Sequence, residues 1–71
     1  MGRTSAKQKL GKKLQELRKS QGIPQEQLGF TAKVDRSYIS EIENGLRNPS
    51  LQTLEKLAKA LKVKLSDLTN L

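Results

Sequence analysis

Cysteine and histidine are both missing from this 71-residue chain. Without cysteine there is no disulfide and no thiolate metal site, so packing between helices must hold the fold, with dimerisation as a further support. Without either residue the usual general base, thiol nucleophile and transition-metal ligands are gone, which argues against an enzyme and against a metal cofactor. Tryptophan is also absent, and Tyr38 and Phe30 are the only aromatic residues. Two rings cannot build a stacking platform for single-stranded nucleic acid. The five glycines are scattered, so no phosphate-cradling loop is present. No apolar run approaches the roughly 20 residues of a membrane span. The basic start is not followed by the apolar stretch of a secretory signal. Met1-Gly2 opens a myristoylation pattern that Ala6 breaks, since Ser or Thr is needed there. No cofactor is expected, and a reducing, cytoplasmic setting fits the lack of cysteine.

Acidic residues are also scarce relative to basic ones. Fourteen Lys and Arg face seven Asp and Glu, a net charge of +7. Seven of the basic residues precede Gly22 (Arg3, Lys7, Lys9, Lys12, Lys13, Arg18, Lys19) against the single acid Glu16. Such asymmetry suits a polyanion, either nucleic acid or an anionic membrane, although solvated surface lysines give the same count. For a membrane the first helix would need more than leucines on its apolar face, so no membrane partner is expected.

One small domain is expected over residues 6–71, preceded by a disordered arm at 1–5. Ser5 and Gln8 form a capping box, and Leu10, Leu14 and Leu17 follow at helical spacing, which predicts a first helix from Ala6 to about Gln21, ended by Gly22. Gly11 inside it is either tolerated or a close packing contact. Pro24 or Gln25 opens a second helix to about Ala32. Asp35 caps a third, from Arg36 to about Asn44, and Asn44-Gly45 ends it. Ser50 caps a fourth carrying Leu51, Leu54, Leu57, Ala58 and Leu61 on one face. Val63, Leu65, Leu68 and Leu71 belong to a short last helix. No strand pattern, repeat or long linker interrupts this all-α, five-helix reading.

The segment PQEQLGFTAKVDRSYISEIENG, Pro24 to Gly45, therefore reads as two short helices joined by a tight turn. The second would bury Ile39 and Ile42 and leave Arg36, Ser37, Tyr38, Ser40 and Glu41 open. A rigid helix pair exposing that row in a basic chain suits the DNA major groove. From about Leu14 to Leu68 the chain resembles the Cro/cI-type helix-turn-helix family of phage repressors, restriction-modification controllers and small bacterial regulators. The resemblance rests on Leu17-Arg18 with Gly22, Gln25-Glu26-Gln27-Leu28, Val34-Asp35-Arg36-Ser37-Tyr38-Ile39-Ser40, Ile42-Glu43-Asn44-Gly45, Asn48-Pro49-Ser50-Leu51 and Leu57-Ala58-Lys59-Ala60-Leu61. Their order and spacing carry more than any piece alone. The chain departs from the family at Lys33 and Lys62, where glycine is usual, at Pro24, where Thr or Ser is common, and at Gly29, where Ala is usual.

The resemblance implies a compact lambda-repressor-like domain that binds double-stranded DNA as a homodimer on a pseudo-palindromic operator and regulates transcription, in a cytoplasmic, nucleoid-associated setting. It implies base contacts from Arg36, Ser37 and Glu41, with Tyr38 either on a sugar or thymine methyl or filling a gap between helices. Arg suits guanine O6 and N7, and Glu suits cytosine N4. Phosphate contacts are expected from Gln25 at a helix N-terminus, from Ser40, Asn44 and Arg47, and from Arg18. Arg18 and Glu43 match a structural ion pair. Lys7, Lys12 and Lys13 are candidates for non-specific attraction. Leu65, Leu68 and Leu71 are candidates for the dimer surface. Phe30 either meets a partner or folds back over Leu10 or Ile23, the second being favoured. The alternative reading is a protein-interaction module, such as an antitoxin or co-regulator, on the same fold.

Overall fold

The computed structural model describes residues 5–70. Leu71 and all of the expected arm except Ser5 lie outside them. Among the described residues there are five helices and no strand: α1 (Ala6–Ser20), α2 (Gln25–Ala32), α3 (Arg36–Glu43), α4 (Leu51–Ala60) and α5 (Leu65–Thr69). The starts are set by local chemistry. Ser5 Oγ accepts from the Gln8 N–H at 3.2 Å while Gln8 Oε1 accepts from the Ser5 N–H at 3.0 Å, so the capping box forms. Asp35 accepts from the Ser37 N–H at 2.8 Å and Ser50 from the Thr53 N–H at 3.1 Å. Pro24 places α2 without a side-chain cap. The last helix starts later than expected, at Leu65, because Val63 is used in the turn after α4.

Four connections end the same way. The N–H groups of Ile23, Val34, Leu46 and Val63 donate to the carbonyls of Arg18, Gly29, Glu41 and Ala58, five residues back, at 2.9–3.1 Å. Each closes over a left-handed residue: Gly22, Lys33, Gly45 and Lys62, with φ of 68°, 58°, 75° and 57°. This is the Schellman ending, with an apolar residue following the left-handed one. Two of the four carry a lysine whose Cβ crowds the following carbonyl. Lys33→Gly and Lys62→Gly are each expected to raise stability by about 1 kcal/mol, or about 4–8 °C in Tm for a domain of this size. Thermal unfolding of the two variants measures this directly, and unchanged midpoints would mean that the two turns carry no strain.

Packing follows the apolar spacing. α1 lies on α3 and α5, α2 lies on α3 and α4, and α4 lies on α5. Leu14, Leu28, Ile39, Ile42, Leu57, Leu61 and Leu68 form the fully buried centre. Two glycines mark where backbones touch. A Cβ on Gly11 would overlap the Ile42 carbonyl oxygen and lie 2.9 Å from that of Glu43, so α1 crosses the end of α3 at backbone contact. A Cβ on Gly29 would lie 2.6 Å from the Val34 carbonyl oxygen, which places α2 directly over the turn into α3.

Three apolar assignments are corrected. Leu51 is 60% exposed rather than on the core face. It is the first residue of α4, and its side chain leans toward the helix start, past the layer filled by Leu54. Phe30 is 87% exposed and does not fold back over Leu10 or Ile23. Leu28 and Ala32, four apart, hold the inner face of α2, and the residue midway between them points the other way. Leu68 is fully buried. α5 lies against both α1 and α4, so Leu68 completes this molecule's own core and is not free for a second copy. Leu65 is half-buried against the same core.

Candidate nucleic-acid interface

Burial of Ile39 and Ile42 fixes the rotation of α3 about its axis. With those two side chains inward, Arg36 and Ser37 are exposed at the first turn, while Tyr38, Ser40 and Glu41 are half-buried along its sides. Asp35 holds the start of the helix through the Ser37 N–H, and Ser37 itself stays exposed. The row anticipated from the sequence is thus presented on one helix.

The helix is held by a polar network under it. Arg18, 8% exposed, donates from Nε to Glu43 Oε2 at 2.6 Å and from Nη2 to Glu43 Oε1 at 3.0 Å. Its Nη1 donates to the Ile23 carbonyl at 2.8 Å. Gln25 Nε2 adds a fourth bond, to Glu43 Oε1 at 2.9 Å. The fork from α1 therefore ties the end of α3 to the loop before α2, and Glu43 brings in the first residue of α2. A charge pair out of water needs this degree of satisfaction, because each ion loses its hydration.

This geometry corrects two assignments. Arg18, expected at a phosphate, is instead buried, with its guanidinium engaged inward on Glu43 and Ile23. The Gln25 amide is turned toward Glu43 rather than outward. What α2 offers on its outer side is its N-terminus: the first backbone N–H groups of a helix have no partner within it, and Pro24 supplies no side-chain cap.

At the other end of α3 the chain doubles back. After Gly45, Arg47 returns so that its Nε donates to Glu41 Oε1 at 2.7 Å, with its guanidinium 5.7 Å from the centre of the Tyr38 ring. The hydrogen bond that Arg47 donates to Glu41, and then the Glu41 charge, push the Arg47 pKa above its ordinary value. Tyr38 thus supports Arg47. Asn44 Nδ2 donates to the Ser40 carbonyl at 2.8 Å, closing the last turn, and lies 3.5 Å from Ser40 Oγ. Lys7 and Lys12 are exposed, and Lys13 is half-buried.

Sequence reasoning missed the Gln25 bond to Glu43 and the Arg47–Glu41–Tyr38 group. The first joins residues 18 apart across two helices, and the second crosses a break in helical periodicity at Gly45. The one signal for the second was that Asn44-Gly45 reverses the chain soon after α3. Among the described residues, no group of three His, Cys, Asp or Glu is placed to hold a metal ion, and no helix is long and apolar enough to cross a membrane.

Comparison with known proteins places this geometry. Residues 14–68 match the family model HTH_3, Helix-turn-helix. The chain is 46% identical over 59 residues to the control protein C.BamHI of Bacillus amyloliquefaciens, covering 82% of this chain and 73% of that one. It is 40% identical over 57 residues to the immunity repressor of Bacillus phage phi105, covering 80% of this chain and 40% of the repressor. The crystal structure of the restriction-modification controller protein C.AhdI from Aeromonas hydrophila superposes with a TM-score of 0.86 at 44% identity, covering 87% of this chain and 94% of that one. With its two short helices, the tight turn between them and the exposed row on the second, the chain belongs to the helix-turn-helix family.

Proposed function

We propose that the chain is a sequence-specific transcriptional regulator that binds double-stranded DNA as a homodimer, with α3 in the major groove. The observation that carries this reading is the α3 surface: Arg36 and Ser37 exposed, with Tyr38 and Glu41 half-buried beside them, on a helix whose roll is fixed by Ile39 and Ile42. Arg36 at the first turn is the base-reading residue, donating to guanine O6 and N7, with Ser37 beside it. The N-terminus of α2 and the Ser40–Asn44 edge flank α3 and take the phosphates on its two sides. The net charge of +7 supplies sequence-independent attraction.

The likeness to the phage phi105 immunity repressor supports repression, and the likeness to C.AhdI supports the narrower reading of a restriction-modification controller. A homodimer follows from the size of the domain, since one α3 reads only a few base pairs. Two copies would read half-sites about 34–36 Å apart. With Leu68 spent on the core, Leu65 is the described α5 leucine left to contribute at such an interface. A DNA regulator of this kind works in the cytoplasm, on the nucleoid.

Selection from a random duplex pool, followed by titration of the enriched site at two salt concentrations, tests the reading. The expected result is a pseudo-palindrome with half-sites one helical turn apart and steep salt dependence. Arg36→Ala is expected to cost about 1–3 kcal/mol of affinity and to relax preference at one position per half-site. Weak binding without enrichment would sink the proposal and leave a protein-interaction module as the better reading.

A further inference from the structure

We infer that Arg47 and Glu41 act as one reading unit, and that the unit recognises a G·C base pair in one orientation. The inference rests on the proposed reading of DNA by α3. Its starting point is that the two side chains are already joined in the free protein, by the 2.7 Å bond between Arg47 Nε and Glu41 Oε1, while staying 55% and 40% exposed. The bond leaves Glu41 Oε2 as an acceptor and leaves the N–H groups of both Arg47 Nη atoms as donors. Side by side they present two donors and then an acceptor.

That order has one complement among base-pair edges. From the purine side, a G·C pair shows guanine N7 and O6, two acceptors, and then the cytosine N4 amine, a donor. The Nη pair fits the guanine and Oε2 fits the cytosine. An A·T pair places the adenine N6 amine against the Arg47 donors and the thymine O4 against the Glu41 carboxylate, so both central contacts repel. A C·G pair reverses the order and fails in the same way.

Charge gives a second reason for coupling. An unpaired carboxylate entering the groove is repelled by the phosphates on both sides. Bound to Arg47, Glu41 carries its acceptor into the groove without that net charge. Tyr38 completes the unit: its ring lies 5.7 Å from the guanidinium and limits where Arg47 swings when Glu41 is approached. Arg47 is therefore a specificity residue rather than a phosphate clamp, and Glu41 depends on it.

The test is the same selection from a random duplex pool, run for wild type, Glu41→Ala, Arg47→Ala, Arg47→Lys and the double alanine variant. Arg47 is exposed and Glu41 half-buried, and thermal unfolding checks that each variant folds. In wild type one position per half-site is expected to favour G·C, in one orientation, by about 5- to 150-fold. Each alanine variant is expected to lose that preference at the same position, with the double variant no worse than the singles. Arg47→Lys is expected to keep the salt dependence yet lose the preference, because an ammonium lacks the paired donors. The inference is overturned if Arg47→Ala weakens all sequences equally, leaves every base preference intact and lowers the salt slope by about one, as a phosphate contact would. It is also overturned if the two alanine variants relax different positions. Absence of any enrichment in wild type would overturn the DNA-reading proposal itself, and that outcome is distinct from enrichment that ignores Glu41 and Arg47.

Discussion

Arg18→Ala is expected to destabilise the domain by about 3–5 kcal/mol, the range for breaking a buried ion pair by removing one partner. The loss is large because of what remains. The Glu43 side chain is 2% exposed and would be left with only the Gln25 amide bonded to it. The Ile23 carbonyl would lose its donor as well. A domain of this size seldom holds more than about 3–5 kcal/mol, so the variant should be largely unfolded at 37 °C, as thermal unfolding by circular dichroism would record. Arg18→Lys should restore little, since an ammonium cannot bond both carboxylate oxygens and the Ile23 carbonyl with the same fork. The informative control is Arg18→Met with Glu43→Leu. Replacing both charges with apolar groups removes the orphaned ion, and this double variant should be more stable than Arg18→Ala alone. If the double variant is instead the less stable, the pair is worth more than its desolvation costs and the argument from the stranded charge fails.

Gly11→Ala is the second large effect, and its sign separates local from tertiary physics. Helix propensity alone favours alanine over glycine in mid-helix by about 1 kcal/mol. The structure demands the reverse. The added methyl would overlap the Ile42 carbonyl oxygen and crowd that of Glu43 at 2.9 Å. Both obstacles are backbone in α3 and cannot rotate away, so α1 must move off α3. Overpacking of this kind costs about 1–3 kcal/mol. Displacing α1 also strains the bonds from Arg18 to Glu43, so DNA affinity is expected to fall with stability. Denaturant titration beside a binding titration would show both. A Gly11→Ala protein more stable than wild type would mean that the crossing of α1 over α3 is looser than described.

The helices themselves were legible in the sequence because their causes are local. The Ser5–Gln8 box, the Asp35 and Ser50 caps and the 3.6-residue spacing of leucines are decided within one or two turns, and α1 to α4 begin where those signals put them. The roll of α3 was legible for the same reason: only Ile39 and Ile42 could be buried, which left Arg36 and Ser37 outside. The family match over residues 14–68 agrees with the motif read from Leu14 to Leu68.

What could not be read was set by neighbours distant in sequence. Gly11 became a contact because the end of α3 crosses α1 there. Lys33 and Lys62 hold left-handed backbones because the Schellman bonds from Val34 and Val63 and the packing of the next helices impose them against side-chain preference. Leu68 was drawn inward because α5 meets both α1 and α4, whereas the spacing of its leucines showed only that it had an apolar face. Phe30 and Leu51 stayed outside because the inner positions of α2 and α4 were already filled. Gln25 and Arg18 turned toward Glu43 because a buried carboxylate takes the nearest donors, and only the assembled fold brings them near. Local signals in the sequence set the five helices, the turn between α2 and α3 and the exposure of Arg36 and Ser37 on α3. The packed fold set the rest, because contacts between residues far apart in sequence spend Arg18, Gln25 and Glu43 on holding α3 and leave Arg36, Ser37 and the Arg47–Glu41 pair at its surface.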